Sequence, residues 1–218
     1  MTTAGRRIEE KERRRREIID AAEEVFAEVG FDAATMQQIA RHARLSRALV
    51  YLYFKDKAEL QFAIAERAGQ QLTQRFTQAA ARHRKGLEQI IAIGRAFLAF
   101  AQEFPVYFNA IAMVESLLSA DDPGSRHLEA CRQGQAERMS IMVAALERGM
   151  EDETIRPDIG DPLVTALALW GFMHGIIRLS TARAGTFARE SISAQQLGNQ
   201  ALQMARQSLR GDNLPISQ

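Results

Sequence analysis

Residues 30–57 read GFDAATMQQIARHARLSRALVYLYFKDK, and this stretch decides the fold. Thr35 and Ser46 are good N-terminal caps, so the stretch predicts two short helices joined by a tight turn. On the second helix, Val50 and Phe54 lie four residues apart and face inward, whereas Arg47 faces outward. This arrangement is typical of a helix-turn-helix, whose second helix enters the major groove of DNA.

The outward side of the second helix carries groups suited to DNA. Arg47 can donate two hydrogen bonds to the O6 and N7 atoms of a guanine, and Ala48 leaves room for close approach of the backbone. Leu49 or Leu52 can pack against a thymine methyl group. Hydroxyl and ammonium groups suit phosphate oxygens, and so do free backbone N–H groups at a helix start. The phosphate candidates are Tyr51, Tyr53, Lys57 and the start of the helix that Thr35 caps.

A structural alternative accounts for the same pattern. Tyr51, Leu52 and Tyr53 can also form a packed cluster within a helical bundle. An exposed Leu52 beside an outward Arg47 disfavours that interpretation, because a plain surface helix has little use for an exposed leucine.

The composition favours an all-helical protein. The chain has 218 residues and is 46% hydrophobic, which allows one domain or two with a proper core. Pro (5) and Gly (14) are sparse. The net charge of +1 does not by itself indicate a nucleic-acid binder, but five Lys/Arg and one acid lie between residues 33 and 57. Residues 6–16 add seven basic residues and three glutamates.

Hydrophobic periodicity predicts an all-α chain of about nine helices without a strand. Residues 1–55 form a DNA-binding headpiece of three helices, preceded by a mobile arm of about twelve residues and with Gly30 ending the first helix. Residues 56–218 form a C-terminal helical bundle for ligand binding and dimerisation. Asp56 is predicted to cap a helix that runs to about Arg82, and Pro105 to lie in the first turn of another. A break is predicted at 121–124. The final helices are predicted over 163–183 and 193–209.

The single cysteine and the lack of a secretory signal indicate the cellular location. Cys131 is the only cysteine, so no intramolecular disulfide forms and a reducing interior is expected. We interpret it as an incidental thiol, with redox sensing as the alternative. The N-terminus lacks a secretory signal, and the interrupted apolar stretch 163–179 indicates a buried helix rather than a membrane span. We therefore expect a cytoplasmic protein with no membrane partner.

Four short patterns in residues 16–68 resemble the DNA-binding domain of the TetR family of bacterial transcriptional repressors. They are F-A-E-x-G-F (26–31), T-M-x-x-I-A (35–40), L-S-R-A-x-V-Y-x-Y-F (45–54) and K-x-x-L (57–60). The resemblance implies a homodimer that reads a palindromic double-stranded operator and whose C-terminal domain binds a small-molecule inducer. It places base and phosphate contacts on Thr35, Met36, Ser46, Arg47, Ala48, Tyr51, Tyr53 and Lys57.

Two positions depart from the family pattern. Arg44 occupies a turn position where the family often has glycine, so the turn costs conformational energy, and the side chain adds a possible phosphate contact. Met36 stands where the family often has a hydroxyl or β-branched residue, so a side-chain hydrogen bond to phosphate is not expected there.

The C-terminal region is rich in aromatic and thioether side chains, more than one small bundle ordinarily needs. An adaptable apolar pocket for a small hydrophobic or amphipathic ligand is the functional interpretation, and an ordinary core is the alternative. His174 is expected to hydrogen-bond rather than bind metal, because no second His or Cys lies at ligand spacing. No metal or cofactor is expected. The pocket candidates are Phe97, Phe100, Phe104, Met113, Met142, Trp170 and His174.

The last two helices predict a dimer interface. Gly171 and Gly175 are one turn apart, which lets another helix approach the backbone closely. Alternatively, these glycines make space for a ligand. The predicted four-helix interface comprises Gly171, Phe172, Gly175, Ile176, Leu179, Leu197, Ala201, Ala205 and Leu209.

Three functions remain to be distinguished. The first is a ligand-responsive repressor, and the second is a DNA-binding regulator that has no small-molecule ligand. The third is an enzyme or carrier built on a helical bundle. The sequence lacks a Ser/His/Asp or Cys/His set, a paired-carboxylate signature, HExxH and a phosphate-binding glycine loop, so we expect no enzyme.

Overall fold

The computed structural model describes residues 3–115, 126–182 and 192–211. Within these ranges the chain forms nine α-helices and no β-strand, which confirms the predicted all-α fold class. One isolated antiparallel bridge joins Ile155 to Arg210. The helices are α1 (Thr3–Ala33), α2 (Met36–His42), α3 (Arg47–Tyr53), α4 (Lys57–Ala81), α5 (Gly86–Glu103), α6 (Pro105–Glu115), α7 (Arg126–Glu151), α8 (Pro162–Ala182) and α9 (Ala194–Leu209). The predicted break at 121–124 lies outside the described residues.

The chain packs as two compact units. The first comprises Met1–Gly69 with Pro105–Arg132, and the second comprises Gln70–Phe104 with Gln133–Gln218. Helix α4 contributes residues to both. The predicted domain boundary between residues 55 and 56 separates two expected functions and does not coincide with the division into packed units. It stays a prediction.

Side-chain caps begin the helices of the headpiece where the sequence predicts. The Thr35 hydroxyl accepts a hydrogen bond from the Gln38 amide at 3.2 Å, and the Gln38 side chain accepts one from the Thr35 amide in return. The Ser46 hydroxyl accepts from the Leu49 amide at 3.2 Å. The Asp56 carboxylate accepts from the Glu59 amide at 2.8 Å. Each cap satisfies a backbone N–H that the helix cannot satisfy itself.

The first unit has a core contributed by α1, α2, α3 and α4, together with α6 and the start of α7. Burial fixes the rotation of each helix, because the side that is apolar must face its neighbours. The prediction that Val50 and Phe54 face inward is confirmed. The fully buried side chains of this core are Ile18, Ala22, Ile39, Val50, Phe54, Leu60 and Ile64.

The start of α1 differs from the prediction of a mobile arm, because the helix already begins at Thr3. Arg13 pairs with Glu10 at 2.6 Å and with Glu17 at 3.0 Å, and Arg14 pairs with the same two carboxylates at 3.3 and 2.9 Å. Pairs at these helical spacings stabilise a helix. At its other end α1 is interrupted at Gly30, whose φ is +78°, as the predicted C-terminal cap requires.

The turn between α2 and α3 has the conformational cost that the sequence predicts. Arg44 has a φ of +56°, in the left-handed region that favours glycine. The chain reverses there through hydrogen bonds from the Arg44 amide to the Arg41 carbonyl at 3.1 Å and from the Leu45 amide to the Ala40 carbonyl at 2.9 Å. A non-glycine residue in this region costs roughly 1–2 kcal/mol.

A polar network in the first unit holds the C-terminal end of α3. The His127 ring is buried, stacks on Phe54 at 6.4 Å and hydrogen-bonds to Glu66 and Arg15. The Arg15 guanidinium lies 4.4 Å from the centre of the Phe54 ring and donates to the Tyr53 carbonyl at 3.5 Å. The hydrogen bond from His127 lowers the pKa of Glu66. Arg15 therefore caps a carbonyl that α3 leaves unpaired.

In the second unit α5, α8 and α9 pack against one another. Close approach of α5 and α9 depends on glycines, because a Cβ atom on Gly94 would lie 2.7 Å from Leu202 and one on Gly198 would lie 2.9 Å from Leu98. Arg206 of α9 donates to both carboxylate oxygens of Glu88 on α5, at 2.7 and 2.9 Å. This ion pair and the two glycines fix the α5–α9 contact.

Helix α8 is apolar on two sides. Its inner side is buried, whereas Leu163, Val164 and Leu167 on the outer side are 48–64% exposed. The stretch Pro162–Thr181 is long and apolar enough to cross a membrane, a property that core helices of soluble proteins share, and 22% of its most apolar segment is buried. The prediction of a buried helix is therefore wrong for the outer side.

Candidate nucleic-acid interface and apolar cavity

The outer side of α3 presents the side chains that the sequence predicts to be outward. Arg47 and Ala48 are exposed, Tyr51 is 41% exposed and Leu52 is 80% exposed. Leu49 and Tyr53 are half-buried at the edges of this surface. The burial of Val50 and Phe54 forces this orientation, since residues on the opposite side of a short helix must then face solvent.

Two polar side chains on this surface contact each other. Arg47 donates a hydrogen bond to the Tyr51 hydroxyl at 3.3 Å, and its guanidinium lies 5.4 Å from the centre of the Tyr51 ring. Both groups are at the surface, so either can exchange this contact for a base edge or a phosphate. The Ser46 hydroxyl is exposed, and its acceptor function serves the helix cap.

Helix α2 extends the surface with residues that were not predicted from the sequence. Gln37 and Arg41 are exposed, on the side of α2 opposite the buried Ile39. Each lies two residues from Ile39, and this spacing is the signal by which the sequence could have indicated them. Together with predicted site residues they line a groove, whose members are Thr35, Gln37, Gln38, Ala40, Arg41, Leu45 and Arg47.

The structure corrects the prediction for Met36. The Met36 side chain is 8% exposed and belongs to the headpiece core with Ile39 and Ala40. Its apolar side chain is more stable in that core than in water, so it does not face a nucleic acid. Arg44 is exposed at the turn, where its guanidinium is accessible.

Lys57 does not have the predicted free ammonium group. Its Nζ donates to the carbonyl oxygens of Phe31, Asp32 and Ala34 at 2.5, 3.1 and 2.9 Å. It also lies 4.5 Å from the centre of the Phe31 ring. All three ammonium donors are used, and the positive charge lies at the C-terminal end of α1, where helix carbonyls favour cations. Lys57 thus joins the start of α4 to the end of α1 and is not placed to bind phosphate.

We predict that Lys57→Ala destabilises the fold rather than weakening DNA binding directly. Removal of three charge-assisted hydrogen bonds at a half-exposed position should lower the free energy of unfolding by about 1–3 kcal/mol. Equilibrium urea denaturation followed by circular dichroism measures the change. Lys55→Ala is the matched control, because Lys55 is exposed on the same segment and should change stability by less than about 0.5 kcal/mol. Equal, small effects of both variants would restore a phosphate-binding role for Lys57.

The second unit contains a small apolar cavity of about 30 Å³. Three of the predicted pocket residues, Phe97, Met142 and Trp170, line it. The rest of the lining was not predicted as a pocket. Most of it belongs to apolar stripes of α5, α8 and α9, which must pack against other apolar side chains to be removed from water. The other lining residues are Phe76, Ile90, Ile91, Ile93, Gly94, Leu169, Met173, Leu202, Ala205 and Leu209.

Aromatic rings stack beside this cavity. The Phe97 and Trp170 rings are 4.5 Å apart and nearly parallel, with an angle of 12°. His174 stacks on both, 5.6 Å from Phe97 and 5.4 Å from Trp170. Burial, and to a smaller extent the Arg178 guanidinium, lower the pKa of His174 to about 4. The imidazole is therefore neutral near pH 7 and acts as an aromatic surface.

Three of the predicted pocket residues lie away from this cavity. Phe100 is fully buried and packs on Phe104 at 5.7 Å, and the Arg75 guanidinium lies over both rings. Neither phenylalanine lines the cavity described above. Met113 is 37% exposed and belongs to the first unit, so it is not part of this cavity.

The predicted interface residues separate into two groups. Gly171, Gly175 and Leu179 are exposed, and Phe172, Ile176 and Leu197 are half-buried. A Cβ atom added to either glycine would have no atom within 4 Å. Ala201, Ala205 and Leu209, in contrast, are buried inside their own unit, where Ala205 and Leu209 line the cavity. The assignment of these three to a subunit interface is wrong, because the polar side of the amphipathic α9 faces outward.

Comparison with known proteins covers both parts of the chain. The family model for bacterial regulatory proteins of the tetR family matches residues 18–64, and that for the tetracyclin repressor-like C-terminal domain matches residues 90–211. The protein belongs to the TetR family. It is accordingly a transcriptional regulator with a helix-turn-helix DNA-binding domain, which the structure places in α2 and α3.

Relatives of this TetR-family chain include a curated protein and solved structures. The chain is 29% identical over 150 residues to the HTH-type transcriptional repressor Rv1474c of Mycobacterium tuberculosis, covering 67% of this chain and 71% of that protein. A TetR/AcrR-family regulator from Thermobifida fusca has 24% identity and a TM-score of 0.70, with 90% and 98% of the two chains covered. Bacillus subtilis FadR in complex with stearoyl-CoA has 18% identity and a TM-score of 0.66, with 89% and 98% covered.

Proposed function

We propose that the protein is a ligand-responsive repressor that binds a palindromic operator as a homodimer and is released by a small hydrophobic or amphipathic inducer. The observation that carries the proposal is the outer side of α3, where Arg47, Tyr51 and Leu52 are exposed above the buried Val50 and Phe54. We infer a cytosolic location, where such a regulator meets its DNA.

The DNA contacts that we propose follow the exposed side chains of α2 and α3. Arg47 reads a base edge, with Leu52 against a thymine methyl group, while hydroxyl and guanidinium groups around them bind phosphates. Met36 and Lys57 are removed from the predicted set, and Gln37 and Arg41 are added to it. The proposed contact residues are Thr35, Gln37, Arg41, Arg44, Ser46, Arg47, Ala48, Leu49, Tyr51, Leu52 and Tyr53.

We predict that Arg47→Ala relaxes specificity at one base step of each half-site, at a cost of about 1–3 kcal/mol for the preferred sequence. The probe is a duplex that the purified full chain selects from a random-sequence pool, titrated alongside variants with one changed base pair. Arg84→Ala, an exposed arginine of the second unit, is the control and should leave binding unchanged. A uniform loss over all sequences would contradict base reading by Arg47.

We infer that the outer side of α8 forms the homodimer interface. Leu163, Leu167, Gly171, Gly175 and Leu179 follow one another at four-residue intervals, so they form one apolar stripe along the helix, and all five are exposed. The open space over the two glycines allows the backbone of a second helix to come close. A contiguous exposed stripe of this kind is typical of a protein–protein interface.

We predict that Leu167→Glu shifts the protein towards monomers and reduces binding to a two-half-site operator, because a carboxylate would be buried between subunits. Sedimentation velocity measures the oligomeric state. Val29→Glu is the control, since Val29 is 42% exposed but lies on α1, and it should sediment like the unaltered chain. Identical sedimentation of both variants as dimers would place the interface elsewhere, and a monomeric unaltered chain would exclude the homodimer.

An apolar ligand is supported by the cavity and its aromatic rings. FadR of Bacillus subtilis, which shares the fold, was solved in complex with stearoyl-CoA, an amphipathic compound with a long apolar tail. The cavity of about 30 Å³ cannot hold such a tail unless side chains move. Met142 and Met173 are suited to that movement, because unbranched thioether side chains adapt to different shapes.

We propose that release of DNA proceeds through α4. Phe76 of α4 lines the cavity, and Lys57 at the start of the same helix holds the end of α1. A ligand that displaces Phe76 favours another position of α4, and so shifts the population of headpiece separations. Half-sites one helical turn apart, about 34–36 Å, require one particular separation of the two α3 helices.

We predict that stearoyl-CoA changes the fluorescence of Trp170, the only tryptophan, and releases the selected duplex. Ala205→Leu should abolish both effects, because three additional carbon atoms fill the small cavity that Ala205 lines. Ala99→Leu is the control, since Ala99 is exposed on α5. Free coenzyme A tests whether the tail is needed. Specific DNA binding without any response to these compounds would support the alternative, a regulator without a small-molecule ligand.

A further inference from the structure

We propose that residues 3–16 of α1, here called the N-terminal extension, are a second DNA-binding element that contacts phosphates flanking each half-site. The proposal rests on the proposed function and extends its DNA surface beyond the helix-turn-helix. The juxtaposition of this cationic helix with α3 carries the inference.

The extension does not belong to the headpiece core. The first buried side chain of α1 is Ile18, and none of residues 5–17 is buried. At a rise of 1.5 Å per residue, residues 3–16 form a helix about 20 Å long. Apart from Arg15, which lies over the Phe54 ring, the side chains of this helix do not contribute to the apolar core, so their role lies in what their surface can bind.

The extension and the recognition helix line the same groove. Leu49, Leu52 and Tyr53 of α3 form one wall, and side chains of the extension form the other. A DNA backbone that passes α3 therefore meets the extension next. The lining residues from the extension are Arg6, Arg7, Glu9, Glu10, Lys11, Arg13 and Arg16.

The charge of this wall is mainly positive and mostly uncompensated. It has five cations and two carboxylates, and Arg13 is already paired with Glu10 and Glu17. Within the described part of the chain no acidic partner lies within salt-bridge distance of Arg6, Arg7, Lys11 or Arg16. Four exposed cations beside a DNA-reading helix are complementary to phosphates, whose counterions they displace.

The same side chains disfavour a lipid surface as the occupant. An interfacial membrane helix needs an apolar side of bulky residues opposite its cations. Ile8 is the only large apolar residue among residues 3–16, and it is 63% exposed. The extension therefore fits a polyanion and not a bilayer.

The test is the salt dependence of DNA binding by the quadruple variant Arg6→Gln, Arg7→Gln, Lys11→Gln, Arg16→Gln in the full chain. Glutamine preserves helix propensity, and circular dichroism checks that the helix persists. On a random-sequence duplex of about 40 base pairs, the slope of log K against log salt should flatten by about 0.9 for each phosphate that the variant no longer neutralises. The charge-matched control, Arg82→Gln, Arg84→Gln, Lys85→Gln, Arg95→Gln, alters exposed residues of the second unit and should keep the slope.

A second measurement locates the contact. The unaltered chain should bind its pool-selected duplex more tightly when about ten flanking base pairs are added at each end, and the quadruple variant should not show this gain. Glu9→Gln, which removes a groove carboxylate, should strengthen binding to the longer duplex by about two-fold or more at low salt. Equal slopes and an equal gain from the flanks for the unaltered chain and the quadruple variant would overturn the proposal. Failure of the unaltered chain to select any sequence would instead overturn the proposed function.

Discussion

The burial of two side chains, Val50 and Phe54, is the constraint on which the DNA-binding surface depends. Each is fully buried, which stabilises the fold by about 1.5–3 kcal/mol per side chain. Val50 lies within the seven-residue α3 and Phe54 is its C-terminal cap, so the burial of both fixes the rotation of the helix. The Ser46 cap sets where α3 begins, and Arg15 holds its last carbonyl. The outward position of Arg47 is thus a consequence of packing on the other side of the helix.

In the second unit the decisive feature is that α8 is apolar on two sides. Its inner side places Trp170 and Met173 at the cavity, while its outer side leaves Leu163 and Leu167 in solvent. A helix with apolar residues on both sides is most stable when both sides are covered, and the described part of this chain covers one of them. The ligand and the second subunit that we propose would therefore act on opposite sides of the same helix.

Local signals in the sequence were sufficient to predict much of the fold. Thr35, Ser46 and Asp56 cap helices through contacts with residues three positions away, so their role is visible in a short window. The role of Lys57 was not visible, because its carbonyl partners are 23–26 residues earlier and a flexible lysine has no preferred partner in sequence. The DNA-binding surface of α3 was also predictable, because it depends on the periodicity of α3 itself.

Tertiary packing decided the remaining positions. The start of α1 is helical and not a mobile arm, because ion pairs at helical Glu and Arg spacing stabilise a highly charged segment as a helix. Ala201, Ala205 and Leu209 are buried within their own unit, although one amphipathic pattern fits either a neighbouring helix or a second subunit. The family match identifies a regulator, and neither it nor the periodicity specifies which side of α9 meets the cavity.

Cleavage of bound DNA by an iron chelate attached at position 48 tests the central claim most directly. The variant Ala48→Cys carries the chelate on the outer side of α3, in a Cys131→Ser background so that only one thiol reacts. Bound to its pool-selected duplex, the protein should cleave in the major groove at two places one helical turn apart, about 34–36 Å. Uniform cleavage, cleavage at a single place, or none would contradict a paired recognition helix held outward by its own core.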